Sequence, residues 1–353
     1  MLAFAGRLGG ALPADATTTA TIAVDQANLG SDSISGLRLG VTKSADRLAI
    51  TELSAGLPGG TQVEIKGRES AGTGVGLSGD LTLRGLSFAR LTAWIMARPV
   101  SGDARADGAF AARGLLRADD GEVSIRDLVG ELAGTQIAGS ASYRWKGRPE
   151  IAVALRGPQL DLRSVLSDEP TLPGLLALLP AAGGGGEGPD LTLQVSAGRL
   201  LTPARTYDRV SAGLELKQNT LRVGDLRFSS DSGYTVEAAG ELRDIASAPR
   251  GTVTWTAAAR SAAALADLSS LLDVPPPLAP SETRAAVLAP LRLAGSATFG
   301  AEPGLVTLAA AGETAVGRTT VTARLAGGFK TWRTSPADVT VGIDAPDTRI
   351  AAA

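Results

Sequence analysis

One spaced apolar pattern occurs three times in this chain, and nothing else in the sequence limits the fold as much. Leu48-x-Ile50-x-x-Leu53 precedes Gly60-Thr61-x-Val63. Val123-x-Ile125-x-x-Leu128 precedes Gly134-Thr135-x-Ile137, and Leu221-x-Val223-x-x-Leu226 precedes Gly233-Tyr234-x-Val236. Apolar residues two apart are what a strand with one dry face requires. A pattern copied along a chain means one supersecondary unit repeated and stacked on its neighbours. Such a chain forms an elongated β scaffold rather than a closed pocket, so its function is to be sought along a surface.

The stretches between these motifs alternate too. Thr61-Gln62-Val63-Glu64-Ile65-Lys66 and Leu214-Glu215-Leu216-Lys217 put apolar and polar residues on opposite faces. Turn residues at Asp119-Asp120-Gly121, Lys146-Gly147-Arg148-Pro149 and Gln218-Asn219 separate strands. Each unit ends on a strand leading into a short stretch with helical spacing: Phe88 to Ile95, Leu160 to Leu166, and Ala263 to Leu272. Val339-Thr340-Val341-Gly342-Ile343 repeats the strand end once more.

Two linkers punctuate the series, the Gly183–Gly186 run between Pro180 and Pro189, and Pro275-Pro276-Pro277 with Pro280. With the end of the first helical stretch they divide the chain into repeat segments 1–98, 99–182, 183–274 and 275–353, the last one truncated. The expected fold class is mainly β: an elongated, curved antiparallel sheet of repeated units, open as a groove, with short amphipathic helices at the unit ends. The chain starts and stops against its own repeat, as expected of a portion of a longer protein.

Composition removes most catalytic chemistry. Histidine and cysteine are both absent, so no imidazole base, no Ser-His-Asp triad, no thiolate and no disulfide can form. The net charge of −2 offers no basic face for nucleic acid. No run approaches the roughly 18 apolar residues that suggest a transmembrane helix, and Met1-Leu2-Ala3-Phe4-Ala5-Gly6-Arg7 is no convincing signal peptide. Aromatic residues are only 4%, so any apolar surface is built from small and branched aliphatics.

The remaining polar candidates read as structural. The glycine run lacks the strand before it, the helix after it and the Lys-Ser/Thr of a phosphate loop. Asp119-Asp120 sits at a turn, Asp161 where a helix cap is wanted, and neither these nor Asp168-Glu169 and Asp225 have calcium-loop spacing. Trp94 and Trp255 fall at equivalent strand-to-helix junctions as packing anchors. Trp145 and Trp332 lie near turns and are candidates for contact with a membrane or partner.

Ser142-Tyr143-Arg144-Trp145-Lys146-Gly147-Arg148-Pro149-Glu150-Ile151, followed by Leu155-Arg156-Gly157-Pro158-Gln159-Leu160-Asp161-Leu162, resembles the AsmA-like family of bacterial envelope proteins: a strand, a Gly-Arg-Pro turn, a second strand and a Leu-Asp-Leu helix start. Leu48 to Gly67 and Leu221 to Leu242 resemble the family's strand element, and the likeness extends over most of the chain. The resemblance implies a repeating β-groove that carries phospholipid acyl chains and supports outer-membrane biogenesis. It implies a periplasmic location, an inner-membrane anchor N-terminal to this chain in the parent, and contacts with outer-membrane or other envelope proteins. It implies no enzyme activity, catalytic residue, metal or cofactor.

The residues lead the same way. A sheet with one apolar face must cover it, because large exposed apolar patches are rare on soluble monomers. Few aromatics leave such a face unfilled, with room for acyl chains. The groove-lining candidates are Ile50, Val63, Ile65, Val123, Ile125, Ile137, Leu214, Leu216, Val223 and Val236, and the face presented by each strand is left open at this point. The rival is a secreted or surface β-repeat spacer or adhesin with a closed, dry core. A β-helical polysaccharide lyase would need a carboxylate-Arg-Lys cluster, for which lysines are too few.

Overall fold

The computed structural model describes residues 17–29, 32–44, 47–67, 74–95, 108–132, 134–163, 171, 188–245, 247–274, 279–300, 302, 304–326 and 336–344. The chain forms two compact units, Met1–Ser167 and Asp168–Ala353. The two earlier repeat segments fall chiefly in the first unit and the two later ones in the second. The Gly183–Gly186 run, Pro275-Pro276-Pro277 and Trp332 lie outside the described residues.

The N-terminal unit contains β1 (Thr18–Leu29), β2 (Asp32–Ser44), β3 (Arg47–Leu57), β4 (Thr61–Gly67), β5 (Gly74–Gly85), α1 (Phe88–Ile95), β6 (Phe110–Ala118), β7 (Glu122–Leu132), β8 (Thr135–Arg144) and β9 (Glu150–Asp161). Consecutive strands pair antiparallel throughout, with one short parallel pairing of β3 and β5 beyond the shorter β4. The C-terminal unit contains β10 (Asp190–Leu201), β11 (Thr206–Lys217), β12 (Thr220–Ser230), β13 (Tyr234–Arg243), β14 (Arg250–Ala259), α2 (Ala262–Leu271), α3 (Glu282–Leu288), β15 (Leu291–Phe299), β16 (Leu305–Thr314), β17 (Gly317–Ala326) and β18 (Ala337–Asp344). It is a second antiparallel meander. Among the described residues no pairing joins β1 to β9 or β10 to β18. The fold is mainly β, antiparallel and open rather than closed into a barrel.

The recurring motif is a β-bulge. In β3, Ile50 pairs with Val41 and Glu52 with Gly40, so Thr51 is an extra residue. In β7, Ile125 pairs with Ala141 and Leu128 with Gly139, leaving Arg126 and Asp127 opposite Ser140 alone. In β12, Val223 pairs with Gly240 and Leu226 with Ala238 in the same way. Strand side chains alternate with period two, so an odd spacing would put the two apolar residues of each motif on opposite faces. The bulge absorbs the odd residue and returns both to one face. Ile50 and Leu53 are accordingly both buried, at 2% and 8% exposure. The motif's glycines serve the turns: Gly60, Gly134 and Gly233 have φ of +64°, +81° and +100°, the left-handed region that penalises a Cβ.

Each described helix begins on a serine. The hydroxyls of Ser87, Ser261 and Ser281 accept from the backbone N–H three residues on, at 3.1, 3.2 and 3.4 Å. These caps satisfy donors a helix start leaves open. The helix expected from Leu160 to Leu166 does not start at Leu160. Leu160 and Asp161 end strand β9, and residues 164–166 lie outside the described set. Asp161 nevertheless accepts from the Arg163 N–H at 3.0 Å, an Asx turn that stops the strand.

Trp255 is not at a strand-to-helix junction equivalent to that of Trp94. It lies mid-strand in β14, directly opposite Gly295, while Trp94 lies in the last turn of α1. A Cβ on Gly295 would stand 2.8 Å from the Ala310 Cβ and 2.9 Å from the indole Cζ2, besides striking the Ala309 carbonyl oxygen. Gly295→Ala is expected to destabilise the chain by about 1–3 kcal/mol through this overpacking. At Gly213 the nearest atom is 3.7 Å away, so Gly213→Ala should stay within about 0.5 kcal/mol of the parent. Urea denaturation of both variants measures the difference.

Candidate functional site: the apolar face

Paired residues on neighbouring strands point to the same side of a sheet. In the C-terminal unit the register therefore traces a row across every strand: Leu193, Leu214, Val223, Gly240, Val253, Ala297, Leu308, Ala323 and Val339. The next row runs Val195, Ala212, Leu226, Ala238, Trp255, Gly295, Ala310, Val321 and Val341. Neither row contains a polar side chain. At about 4.8 Å between strands, each row spans roughly 38 Å. The opposite face is wet: Thr192, Glu215, Arg222, Glu241, Thr252, Thr298, Thr307, Arg324 and Asp338 form a matching polar row. Arg222 reaches Glu241 at 2.9 Å there, and the Arg222 and Arg243 guanidiniums hold the Glu241 carboxyl below its usual range.

The two apolar rows are mostly half-buried, and the strand ends beside them contain fully buried residues among half-buried ones. Along one margin Leu216, Leu221, Val306 and Leu325 are at most 5% exposed. At the other, Tyr207 and Tyr234 meet Phe228 edge-to-face at 5.3 and 6.3 Å. Helix α2 packs on β13 and β14 there, burying Ala264, Leu265, Leu268 and Leu271. Tyr234 has no exposed surface, and burial pushes its phenol up. The floor is thus made of half-covered apolar residues, with fully buried ones at places along both margins.

The N-terminal unit treats the same face differently. Ile22, Leu39, Leu53, Ile65 and Leu81 lie in register across β1 to β5. Leu39, Val41, Ile50, Leu53, Ile65, Leu77, Leu81, Leu116 and Ala118 pack on one another as a core, with Val63, Val123 and Ile125 against its edge. Phe88 of α1 meets Phe110 edge-to-face at 5.5 Å, and Leu91 is 4% exposed. Beyond the core, Ile137, Ala141, Val153 and Leu155 are half-buried again.

All ten groove candidates thus share the apolar face of their unit. Ile50, Ile65 and Leu216 are buried in protein contacts at 2–4% exposure, and Val63, Val123 and Ile125 border the N-terminal core. Ile137, Leu214, Val223 and Val236 are half-buried. The candidate list lacked Trp255, Val253 and Leu308, whose alternation in β14 and β16 follows the same period-two signal.

The polar candidates are structural where they are described. Asp119 Oδ1 accepts the N–H groups of Gly121 and Glu122 at 3.0 and 2.9 Å. Trp145 donates its indole N–H to the Asp120 carbonyl at 3.0 Å, and Lys146 pairs with the Asp120 carboxylate at 2.8 Å. These bonds fasten the Gly-Arg-Pro turn to the neighbouring hairpin and leave Tyr143 and Trp145 about 40% exposed, at 42% and 39%. A depression of about 200 Å³ on the polar side is lined by Arg117, Asp119, Glu122, Ser124 and Arg126, whose charges compensate one another. Among the described residues no group of acidic side chains could hold a metal ion, and no helix is long and apolar enough to cross a membrane.

Comparison with family models, with curated proteins and with solved structures finds no match to this chain.

The margin is the part of the face that substitution tests most directly. Leu268→Asp places an unpaired carboxylate at a site 5% exposed and should cost about 3 kcal/mol or more. Leu272→Asp, at a site 41% exposed, should shift the melting temperature little. Thermal denaturation followed by circular dichroism reads both.

Proposed function

We propose that the chain is a non-enzymatic envelope protein whose apolar sheet face carries lipid acyl chains. The observation that carries this reading is the pair of uninterrupted apolar rows in the C-terminal unit, mostly half-buried, with fully buried residues at places along both margins. Apolar surface left in water costs roughly 25 cal/mol per Å², and a hydrocarbon chain laid along the rows removes that cost without requiring any directed polar contact. The resemblance of the turn and strand motifs to the AsmA-like family supports the same role: phospholipid transport in the periplasm in support of outer-membrane biogenesis, in a parent anchored to the inner membrane.

The rival, a spacer with a dry core, draws on one specific observation, the self-packed cluster around Ile50 and Ile65 in the N-terminal unit. It assigns the half-buried rows to packing alone.

Organic extraction of the purified chain followed by mass spectrometry is expected to release phospholipid in near-stoichiometric amount. Brominated-acyl phospholipid should quench the fluorescence of Trp255, and the quenched fraction should fall in Trp255→Phe. Val223→Asp puts a charge in the middle row, at a cost of several kcal/mol to a hydrocarbon chain crossing it, and should reduce bound lipid about tenfold with the circular dichroism spectrum unchanged. A chain that purifies without lipid, and whose Trp255 is not quenched, is the spacer.

A further inference from the structure

The wet face of the N-terminal unit has a depression at the β6–β7 hairpin, about 200 Å³ in volume and lined by Arg117, Asp119, Glu122, Ser124 and Arg126. The register sorts its charges. Arg117 pairs with Ser124 across the ladder, and Arg126 lies two residues further along β7. Asp119 and Glu122 lie two residues the other way, at the hairpin end, where the Asp119 N–H donates to the Glu122 carbonyl. Two residues of strand span roughly 7 Å, so a cationic half and an anionic half lie side by side. The halves cancel in sum but not by contact. Among the described residues Arg117 and Arg126 have neither an ion pair nor a hydrogen bond. Glu122 stands 3.7 Å from Arg144, and Asp119 uses Oδ1 alone to accept the N–H groups of Gly121 and Glu122. Ser124 is 5% exposed, yet its hydroxyl has no hydrogen-bond partner among the described residues. A buried hydroxyl ordinarily has one.

We propose that this depression binds a small zwitterion, a phosphate ester that carries an ammonium group, of the ethanolamine phosphate type. The phosphate oxygens accept from the Arg117 and Arg126 guanidiniums and from the Ser124 hydroxyl. The ammonium donates to Glu122 and to Oδ2 of Asp119. Hydrogen bonds between charged groups are the strong ones, and the guanidinium fork matches phosphate. A tetrahedral phosphate turns oxygens toward donors that come from two strands, whereas a carboxylate keeps its two oxygens in one plane. A simple anion would meet the two carboxylates, and a simple cation the two guanidiniums, so a ligand of one sign is opposed by half of the site. The volume lies below the roughly 300–1,000 Å³ of sites that enclose a drug-sized ligand, so a headgroup fits and acyl chains do not. Lipid carriage on the opposite face is not required for it.

The test titrates the whole chain with O-phosphoethanolamine by isothermal calorimetry, beside inorganic phosphate and ethanolamine. Saturable binding of O-phosphoethanolamine is expected, about tenfold tighter than that of either half alone. Arg117→Gln combined with Arg126→Gln should weaken it about tenfold or more, with the melting temperature unchanged because both side chains are exposed. Glu122→Gln should reduce the preference over inorganic phosphate. Phosphatidylcholine vesicles with and without phosphatidylethanolamine separate the sources, because a quaternary ammonium has no N–H to donate. Cosedimentation that needs phosphatidylethanolamine and is lost in the double arginine variant assigns the ligand to a lipid surface. Binding of the soluble ester alone assigns it to a free metabolite. Absence of binding up to about 50 mM O-phosphoethanolamine, equal binding of inorganic phosphate, or binding that survives the double arginine substitution overturns the proposal.

Discussion

Each unit depends on agreement about which side of the sheet is dry. Side chains alternate along a strand, so a slip of one residue anywhere turns an apolar row into a polar one. The apolar rows keep their parity across every strand of the C-terminal unit, and the polar rows do the same on the other side. The bulges follow from this demand. Thr51, the Arg126–Asp127 pair and the Gly224–Asp225 pair are places where a strand takes an extra residue and still delivers its next leucine to the dry side. Gly36 and Arg209, at φ of +57° and +54°, mark two further register shifts in β2 and β11.

The units differ in side-chain volume more than in topology. In the N-terminal unit leucine and isoleucine oppose leucine and isoleucine, as in Leu39, Leu53, Ile65 and Leu81. These side chains reach across the curved face and fill it. In the C-terminal rows a large residue repeatedly faces glycine or alanine: Val253 faces Gly240, Leu308 faces Ala297, Trp255 faces Gly295. In these rows glycine and alanine give way to the larger residue opposite, as Gly295 does to the Trp255 indole. The same architecture therefore carries a buried cluster of large aliphatics in one unit and half-buried rows of alternating large and small residues in the other.

Much of the fold was legible in the sequence. Strand positions, turn glycines, and the helices at Phe88 and Ala263 follow from periodicity and turn chemistry. The ten candidate residues all fall on the apolar face because period two is a local property. Register is not local. Nothing in β14 alone says that Trp255 meets Gly295, so Trp255 was assigned to a junction it does not occupy. Leu160 has helical spacing to Leu166, yet strand β9 runs on to Asp161, past the end of its ladder with β8 at Arg156. The odd spacing inside the motif was visible, but its meaning as a bulge appears only when the partner strand is counted.

The meander has a mechanical corollary. Apart from the short β3–β5 contact, every strand within a unit pairs with its neighbours in sequence. Contacts of this kind are close in the chain, so loop closure is inexpensive and a hairpin anywhere can seed growth in both directions. The reverse process is equally stepwise. Within its own unit a terminal strand has one ladder to lose, and losing it leaves the next ladder intact. Damage or load at one place then remains there, and a stretched unit yields in small increments instead of failing as a whole.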